Sequence, residues 1–272
     1  MKTTPFFKTE AAPILRWAGS KRRITPILKA HAPTGFKRYI EPFAGSAAFF
    51  FSLKPPVAIL GDVNPEVTAT YQATKDSPEA VAAHLSEIPQ TKDAYLTLRE
   101  LEVSKLTTAQ RAARLIFLMK SCFNGVYRTN VSGGFNVPFG STFYKLPTLA
   151  ELQQVSKSLD KTEIQTGDYK DWMHVAGKGD FVYLDPPYSA SSRYRGEYGY
   201  KAKFRDEQLE VLLLTCEMLT NAGAKVMLSY KWDEQVVKSL RGWHILHLEV
   251  PRSVSCVTSG RSPASELLAM NY

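Results

Sequence analysis

The chain has 272 residues, 44% of them hydrophobic and 11% aromatic, which suits one large globular domain or a domain with a sizeable insertion. No stretch approaches the roughly 18 consecutive apolar residues of a membrane span, and the first ten residues lack the apolar run of a signal peptide. Three cysteines without a C-x-x-C pair argue against a disulfide framework and against a zinc site. We therefore expect a cytoplasmic protein that binds no membrane and no metal.

The formal net charge of +8 is concentrated in two stretches. Residues 11–40 contain seven basic residues and no acid, and residues 193–205 contain five basic residues and one acid with three tyrosines interleaved. Basic side chains neutralise phosphates, and aromatic rings stack on bases. The pattern indicates a nucleic-acid partner, although a basic surface that serves only solubility would look the same.

Short apolar segments that alternate with helical patterns predict seven strands. They lie at residues 38–43, 57–61, 163–166, 180–184, 224–229, 244–250 and 266–271. Helices are predicted to begin near Ala47 and to span residues 206–221 and 232–240. This alternation favours an α/β fold with a largely parallel sheet covered on both faces, whose ligands bind beyond the carboxyl ends of the strands.

The middle of the chain departs from this alternation. The pattern of residues 70–122 predicts one helix after another. In residues 124–138, polar and apolar residues alternate on either side of the turn Ser132-Gly133-Gly134, which is typical of a β-hairpin. We interpret this block as a substrate-selecting insertion. The predicted organisation is a catalytic domain at residues 1–69 and 160–272 with an inserted target-recognition domain at residues 70–159.

The segment Asp185-Pro186-Pro187-Tyr188 follows a buried apolar strand, so it lies where a parallel sheet places its active site. The pattern fits methylation of an aromatic amine, whose lone pair is delocalised into the ring. The carboxylate of Asp185 and a backbone carbonyl can accept both N–H bonds and localise that lone pair. Pro186 removes a competing N–H donor, and Tyr188 can stack on a base that has left the helix.

A second candidate site is the turn at residues 40–46, where small residues let the backbone approach a nucleotide-like ligand. Asp62 lies seventeen residues beyond Gly45 at the end of the next predicted strand. Dinucleotide-binding folds place the acid that holds ribose hydroxyls at about this distance. Alone the signal is weak; together with Asp185-Pro186-Pro187-Tyr188 it predicts a cofactor pocket beside a catalytic edge.

Six motifs occur in a characteristic order: LRWAGSK at 15–21, EPFAG at 41–45, LGDVN at 60–64, NG at 124–125, FNVPFG at 135–140 and DPPY at 185–188. With them the chain resembles the Dam-type DNA adenine-N6 methyltransferases of the α arrangement almost from end to end. The resemblance implies a doubly wound Rossmann-like class I methyltransferase sheet with an inserted helical and β-hairpin recognition domain. It also implies S-adenosylmethionine as cofactor, double-stranded DNA as partner, and a monomer, with dimerisation on DNA left open.

The resemblance assigns roles to matching positions. The residues implied to bind the cofactor are Trp17, Lys21, Phe43, Gly45, Asp62, Asp168, Tyr169 and Asp185. The residues implied to bind DNA are Arg16, Asn124, Arg128, Asn130, Pro138 and Tyr144. Arginine carries the fork that binds guanine O6 and N7, so we expect a short target such as GATC. For Arg16 and Arg128, contact with phosphates alone is the competing interpretation.

Four positions depart from the family pattern: Ser20, Ala47, Met119 and Tyr230. Ser20 and Ala47 replace usual glycines, and Met119 and Tyr230 stand where asparagine is common. These departures put cofactor affinity and target sequence in question more than reaction type.

Other activities have weaker support in the sequence. Cytosine-C5 methylation needs a Pro-Cys pair that the chain lacks. Cytosine-N4 methylation is disfavoured because Asp185 rather than a serine opens the tetrapeptide, and RNA-adenine or protein-glutamine methyltransferases usually open it with asparagine and lack the hairpin. A catalytically silent DNA-binding relative is the remaining alternative, against which the intact Trp17, Asp62, Asp185 and Tyr188 argue.

Overall fold

The computed structural model describes residues 10–188, 206–250 and 264–272. The second basic stretch at residues 193–205 and Cys256 lie outside these ranges, whereas Cys122 and Cys216 are buried free thiols. Strands of the described residues form one sheet: β1 Arg38–Glu41, β2 Ala58–Asp62, β3 Thr162–Thr166, β4 Asp180–Leu184, β5 Lys225–Lys231, β6 His244–Val250 and β7 Ala264–Met270. Each strand overlaps one that the sequence predicts.

The strand order is β3-β2-β1-β4-β5-β7-β6. Strands β1 to β5 are mutually parallel, and β7 runs antiparallel between β5 and β6. The carboxyl ends of the parallel strands therefore meet at one edge of the sheet, and the antiparallel β7 begins at that same edge.

Helices cover the sheet between its strands. They are α1 Thr25–His31, α2 Ala48–Leu53, α3 Pro65–Asp76, α4 Pro78–Glu87, α5 Lys92–Glu100, α6 Thr108–Ser121, α7 Leu149–Leu159, α8 Tyr169–Trp172, α9 Asp206–Asn221 and α10 Glu234–Ser239. Within the described ranges, no helix is long and apolar enough to cross a membrane.

Alternate residues of each strand enter two separate cores. Tyr39, Phe181 and Met227 pack on one face, whereas Ile40 and Val182 pack on the other. Side chains alternate between the faces of a strand, so a sheet covered on both sides needs apolar residues at nearly every position. The predicted doubly wound α/β fold is confirmed.

The segment between β2 and β3 contains α3 to α7. Helix α6 begins with a capping box in which Thr107 and Gln110 each bond the other's backbone N–H. The predicted domain limit at residue 70 lies inside α3, and the limit at residue 159 coincides with the end of α7. The division into two domains stays a prediction.

The predicted hairpin is a chain reversal without regular strands. Thr129 pairs with Phe135 and Cys122 with Phe139 as isolated antiparallel bridges. The turn is closed by the Asn130 side chain, whose Oδ1 accepts the backbone N–H of Gly134 at 2.8 Å. Pro138 has no N–H to donate, which limits the pairing that could follow this turn.

The turn after β1 contains a strained residue. Ala47, fully buried, precedes α2 with φ 49° and ψ 36°, the left-handed conformation that disfavours a residue with a Cβ. The glycine that the family resemblance implies at this position would adopt this conformation without strain. An alanine here costs about 1–2 kcal/mol of backbone strain.

We predict that Ala47→Gly changes the free energy of unfolding by less than about 1 kcal/mol, because relief of strain offsets the lost methyl group. Its neighbour Ala48 is helical and also buried, so Ala48→Gly should destabilise the protein by about 1–2 kcal/mol. Urea unfolding of both variants measures the difference. Equal losses in the two would show that Ala47 is not strained.

Candidate active site

A lysine and a carboxylate form an ion pair at the carboxyl edge of the sheet. Asp185 directly follows β4, and Lys21 lies in a short 3-10 helix at residues 21–23. Lys21 Nζ lies 2.8 Å from Asp185 Oδ1 and 5.2 Å from the centre of the Tyr188 ring. The side chain of Lys21 is only 8% exposed. The structure thus joins the predicted cofactor lysine to the predicted catalytic carboxylate.

Burial and charge act against each other at this pair. Burial raises the pKa of Asp185 to about 6, although the charge and hydrogen bond of Lys21 act in the opposite direction. Burial alone would lower the pKa of Lys21, but its interactions with Asp185, Tyr188, Tyr183 and Glu266 together outweigh burial and raise that pKa well above its usual value. Near neutral pH both groups are charged.

A second carboxyl group lies beneath this edge. Glu41, at the end of β1, is 3% exposed and accepts the Tyr39 hydroxyl at 2.8 Å. Burial raises the pKa of Glu41 to about 8, while hydrogen bonds from Tyr39 and from the backbone of Phe50 oppose the shift. Glu41 is therefore mostly protonated at neutral pH, a role that its place in the EPFAG motif did not indicate.

The turn after β1 is held by the acid at the end of β2. Asp62 Oδ2 accepts the backbone N–H of Gly45 at 2.9 Å, and its Oδ1 accepts that of Asn64 at the same distance. Burial raises the pKa of Asp62 to about 6 against these two hydrogen bonds. Both oxygens are fixed in orientation, and each keeps a lone pair for another donor.

Gly45 lies under the Trp17 ring. A Cβ built on Gly45 would lie 2.8 Å from Trp17 Cδ1 and Nε1, and φ at this glycine is +45°. Trp17 also stacks on Tyr127, with ring centroids 5.8 Å apart. Only glycine fits this position, so the predicted cofactor residues Trp17 and Gly45 are brought into direct contact.

The remaining predicted cofactor residues lie along the same edge. The rings of Phe43 and Tyr169 have centroids 5.0 Å apart. Asp168 caps α8, accepting the Lys170 N–H at 3.2 Å, and its carboxylate forms an ion pair with the Lys170 ammonium at 3.0 Å. Asp168 thus stabilises the start of α8, apart from the cofactor contact predicted for it. No cluster of three or more His, Cys, Asp or Glu side chains suited to a metal ion occurs in the described part of the chain.

A family model described as D12 class N6 adenine-specific DNA methyltransferase matches residues 17–254. The chain belongs to this family. It is similar to the type II methyltransferase M1.LlaDCHI of Lactococcus lactis subsp. cremoris, with 31% identity over 97% of each chain. It is also similar to the type II methyltransferase M.MjaIII of Methanocaldococcus jannaschii, with 31% identity over 97% of this chain and 100% of that protein. The retron Ec67 DNA adenine methylase of Escherichia coli is 30% identical over 95% of this chain and 90% of its own. The protein is an adenine-specific DNA methyltransferase.

In this methyltransferase two of the predicted DNA-binding residues contact each other. The guanidinium carbon of Arg16 lies 4.3 Å from the centre of the Tyr144 ring, and Arg16 Nη1 donates to the carbonyl of Cys122 at 3.0 Å. Tyr144 is 44% exposed. The arginine thus joins the N-terminal segment to the residues that follow α6.

Arg128 is held within the chain reversal at residues 128–136. Its Nε donates to Asn136 Oδ1 at 2.8 Å, and its Nη2 donates to the Asn136 carbonyl at 3.1 Å. Asn130 caps the turn through Gly134, and Asn124 adopts the left-handed conformation with φ 54°. The carbonyl of Pro138, the sixth predicted DNA-binding residue, accepts the Phe123 N–H at 3.0 Å.

The family departures have local structural accounts. Ser20 Oγ lies 2.8 Å from Ser46 Oγ, so the serine adds a hydrogen bond across the turn. Met119 is fully buried in the core. Tyr230 is also buried and packs edge-on against Tyr188 at 5.3 Å.

Sequence reasoning overlooked two buried acids, Glu41 and Glu266. Glu266 lies on β7, is 8% exposed, and its Oε2 has no hydrogen-bond partner among the described residues. The available signal was the same for both: an acid inside or beside an apolar strand. Burying an acid at such a position costs free energy, so such an acid is a candidate functional residue.

We predict that the stability of the free protein falls as pH rises towards 8. Glu41 has a folded pKa of about 8 against a usual value of 4.5, so the folded state holds a proton that the unfolded state has released between these values. The stability gained from that proton is full below pH 4.5 and is lost as pH rises through 8. The free energy of unfolding should therefore fall by up to about 1.4 kcal/mol per pH unit between pH 6.5 and 7.5.

Glu41→Gln should remove most of this slope, whereas Glu207→Gln, an exposed residue of α9, should leave it unchanged. Urea unfolding at three pH values measures it. A Glu41→Gln variant with the wild-type slope would contradict the assignment of the proton to Glu41.

Proposed function

We propose that this methyltransferase transfers a methyl group from S-adenosylmethionine to N6 of an adenine that has left the DNA helix, within a short target such as GATC. One observation carries the proposal. The half-buried carboxylate of Asp185 stands at the carboxyl end of β4, and its partner Lys21 lies 5.2 Å from the centre of the Tyr188 ring.

Asp185 would accept one N–H of the adenine amine, and the backbone carbonyl of Pro186 would accept the other. Two acceptors localise the nitrogen lone pair and stabilise the positive charge that develops as the new bond forms. Tyr188 would stack on the base, with its own ring supported from behind by the buried Tyr230. The pKa of about 6 at Asp185 leaves the carboxylate ionised and more basic than an exposed one.

The turn under Trp17 fits a nucleoside-like cofactor. Gly45 lets the backbone of the turn pack directly against the Trp17 indole, and Asp62 is oriented by two backbone N–H groups while each oxygen keeps a lone pair for a ribose hydroxyl. Phe43 and Tyr169 would provide an aromatic wall, with Asp168 at its margin. The cofactor would supply an activated methyl group on a sulfonium, and Lys21 would pair with its carboxylate.

A basic cluster would bind the DNA backbone. Burial lowers the pKa of Lys120, and the nearby positive charges of Arg22, Arg16 and Lys145 lower it further, whereas the negative charge of Glu151 opposes them. Neighbouring cations repel one another, and a bound phosphate group would relieve this repulsion by neutralising their charge. The residues following α6, with Arg128, Asn124, Asn130, Pro138 and Tyr144, would then meet the bases. We propose that the enzyme acts as a monomer in the cytoplasm, where its DNA substrate lies.

The test of this function is methyl transfer by Asp185→Asn. The variant keeps the size of the side chain but weakens the acceptor, so turnover should fall at least a hundredfold. Dissociation constants for DNA and for S-adenosylmethionine should change only a few-fold. Labelled methyl incorporation and calorimetry measure the two quantities.

The matched control is Asp93→Asn, an exposed carboxylate on α5, which should retain full turnover. Undiminished turnover in Asp185→Asn would remove Asp185 from the reaction. Failure of S-adenosylmethionine to bind the wild-type protein would show that the cofactor is misassigned.

A separate prediction concerns the target sequence. If Arg128 forks onto a guanine while Asn136 holds its other edge, Arg128→Ala should lose about 1–3 kcal/mol on the preferred site and little on other duplexes. Arg22→Ala removes a cation of the proposed phosphate cluster, so it should weaken binding equally on every duplex and reduce the salt dependence.

The preferred site is first identified by sequencing methylated adenines in plasmid DNA from a methylation-free host that expresses the chain. Affinities of both variants for matched and single-mismatch duplexes are then compared at two salt concentrations. An Arg128→Ala variant that keeps its full sequence preference would show that Arg128 contacts no base.

A further inference from the structure

Four strands place polar side chains on one face of the sheet at its carboxyl edge. Glu41 on β1 shares the face of Tyr39, and Asp185 continues the face of Phe181 and Tyr183 on β4. On β5, Ser229 lies on this face and shares a hydrogen bond with the Tyr183 hydroxyl, with their oxygens 3.1 Å apart. Glu41, Tyr183 and Ser229 of this row are buried, and the row leads to the half-buried carboxylate of Asp185.

Glu266 completes this row on β7. It is in register with Lys231, the last residue of β5, so it lies at the carboxyl edge although its own strand runs the other way. Leu268 and Met270 of β7 pack in the core on this same face, and the alternation of a strand puts Glu266 with them. Its Oε2 is buried without a partner among the described residues. A nine-tenths buried carboxylate oxygen with no donor is costly, so it indicates a donor that arrives during function.

The ion pair of Lys21 and Asp185 presents a difficulty for the reaction. A carboxylate that is neutralised at 2.8 Å by an ammonium is a poor acceptor for the adenine amine. The same ammonium would also repel the positive charge that develops on the nitrogen during transfer. Lys21 is therefore expected to turn from Asp185 towards other anions: the cofactor carboxylate proposed above and a buried carboxylate of the protein itself.

We propose that Glu266 is a positioning residue for methyl transfer: its buried carboxylate competes with Asp185 for the Lys21 ammonium and so leaves Asp185 able to accept the adenine amine. This inference rests on the proposed role of Asp185. Glu266 does not touch the substrate; it acts through Lys21.

The electrostatics of the cluster are consistent with this competition. Beside the larger effects of burial and of the Lys21–Asp185 pair itself, the charge of Glu266 makes a small contribution that raises the pKa of both Lys21 and Asp185. The other ionisable groups facing the cluster are Glu41 on β1, Tyr183 on β4, Tyr188, and Lys231 on β5. Lys231 is engaged by Asp233 at 3.6 Å, and Glu41 is mostly protonated at neutral pH. Lys21 is thus the cation that Asp185 and Glu266 share.

The test is the pH dependence of turnover in Glu266→Gln, with Glu249→Gln, an exposed acid on β6, as the control. Without the competing charge Lys21 stays on Asp185, so kcat at saturating substrates should fall about tenfold or more. The acidic limb of the kcat profile should move to lower pH, since Asp185 loses a neighbour that raises its pKa. Glu249→Gln should leave both unchanged.

A double-mutant cycle shows whether Glu266 acts through Lys21. In a Lys21→Met background Glu266 has no ammonium to attract, so adding Glu266→Gln should change kcat less than about twofold. Thermal unfolding of the free proteins gives a second readout. Glu266→Gln should be at least as stable as wild type at pH 8, because it removes an unpartnered buried charge.

Each outcome supports or overturns the inference. A Glu266→Gln variant with an unmoved acidic limb, or an equal loss of kcat with and without Lys21, overturns it. A clear loss of stability with unchanged kcat would show a purely structural residue and also overturns it. Full turnover of Asp185→Asn would instead refute the proposed role of Asp185, so the two failures are distinguishable.

Discussion

A single ion pair between the buried Lys21 and the half-buried Asp185, 2.8 Å apart, connects the parts of this enzyme. Lys21 belongs to the N-terminal segment, which reaches over the sheet edge, and Asp185 belongs to the end of β4. Breaking either partner leaves an uncompensated charge in a buried place, a penalty of several kcal/mol. The pair therefore fixes the N-terminal segment, with Trp17 above Gly45, against the catalytic edge.

The carboxyl groups at this edge of the sheet are shielded from water, and most of them are stabilised by a specific interaction. Glu41 avoids ionisation by holding a proton, Asp62 receives two backbone N–H groups, and Asp185 receives an ammonium. These are three different ways to meet the cost of burying a carboxyl group. Among the carboxyl groups described at this edge, Glu266 is the one with a buried oxygen that has no hydrogen-bond partner, and for this reason we propose a role for it in the reaction. The fold thus concentrates costly groups at the edge where we propose that methyl transfer takes place.

Strand positions followed from the sequence because a sheet covered on both faces demands long apolar runs. The edge position of Asp185 and Asp62 followed from the same rule, and family membership from the order of six motifs. Pairwise contacts did not follow, because they join residues far apart in the chain: Lys21 to Asp185, Arg16 to Tyr144, and Trp17 to Gly45. The hairpin pattern overstated regular pairing, since Asn130 closes the turn with its side chain and Pro138 lacks a donor. Ala47 was noted as a departure, but its left-handed backbone was visible only in three dimensions.

The central claim is that Lys21 holds Asp185 in the free protein and releases it to the adenine amine in the reacting complex. A crystal structure of the complex with a target duplex and S-adenosylhomocysteine tests it most directly. The account predicts that Lys21 Nζ lies beyond hydrogen-bond distance of Asp185, and that an Asp185 oxygen lies within such distance of adenine N6. A complex in which Lys21 still bonds Asp185 while N6 is bound by other acceptors would contradict it.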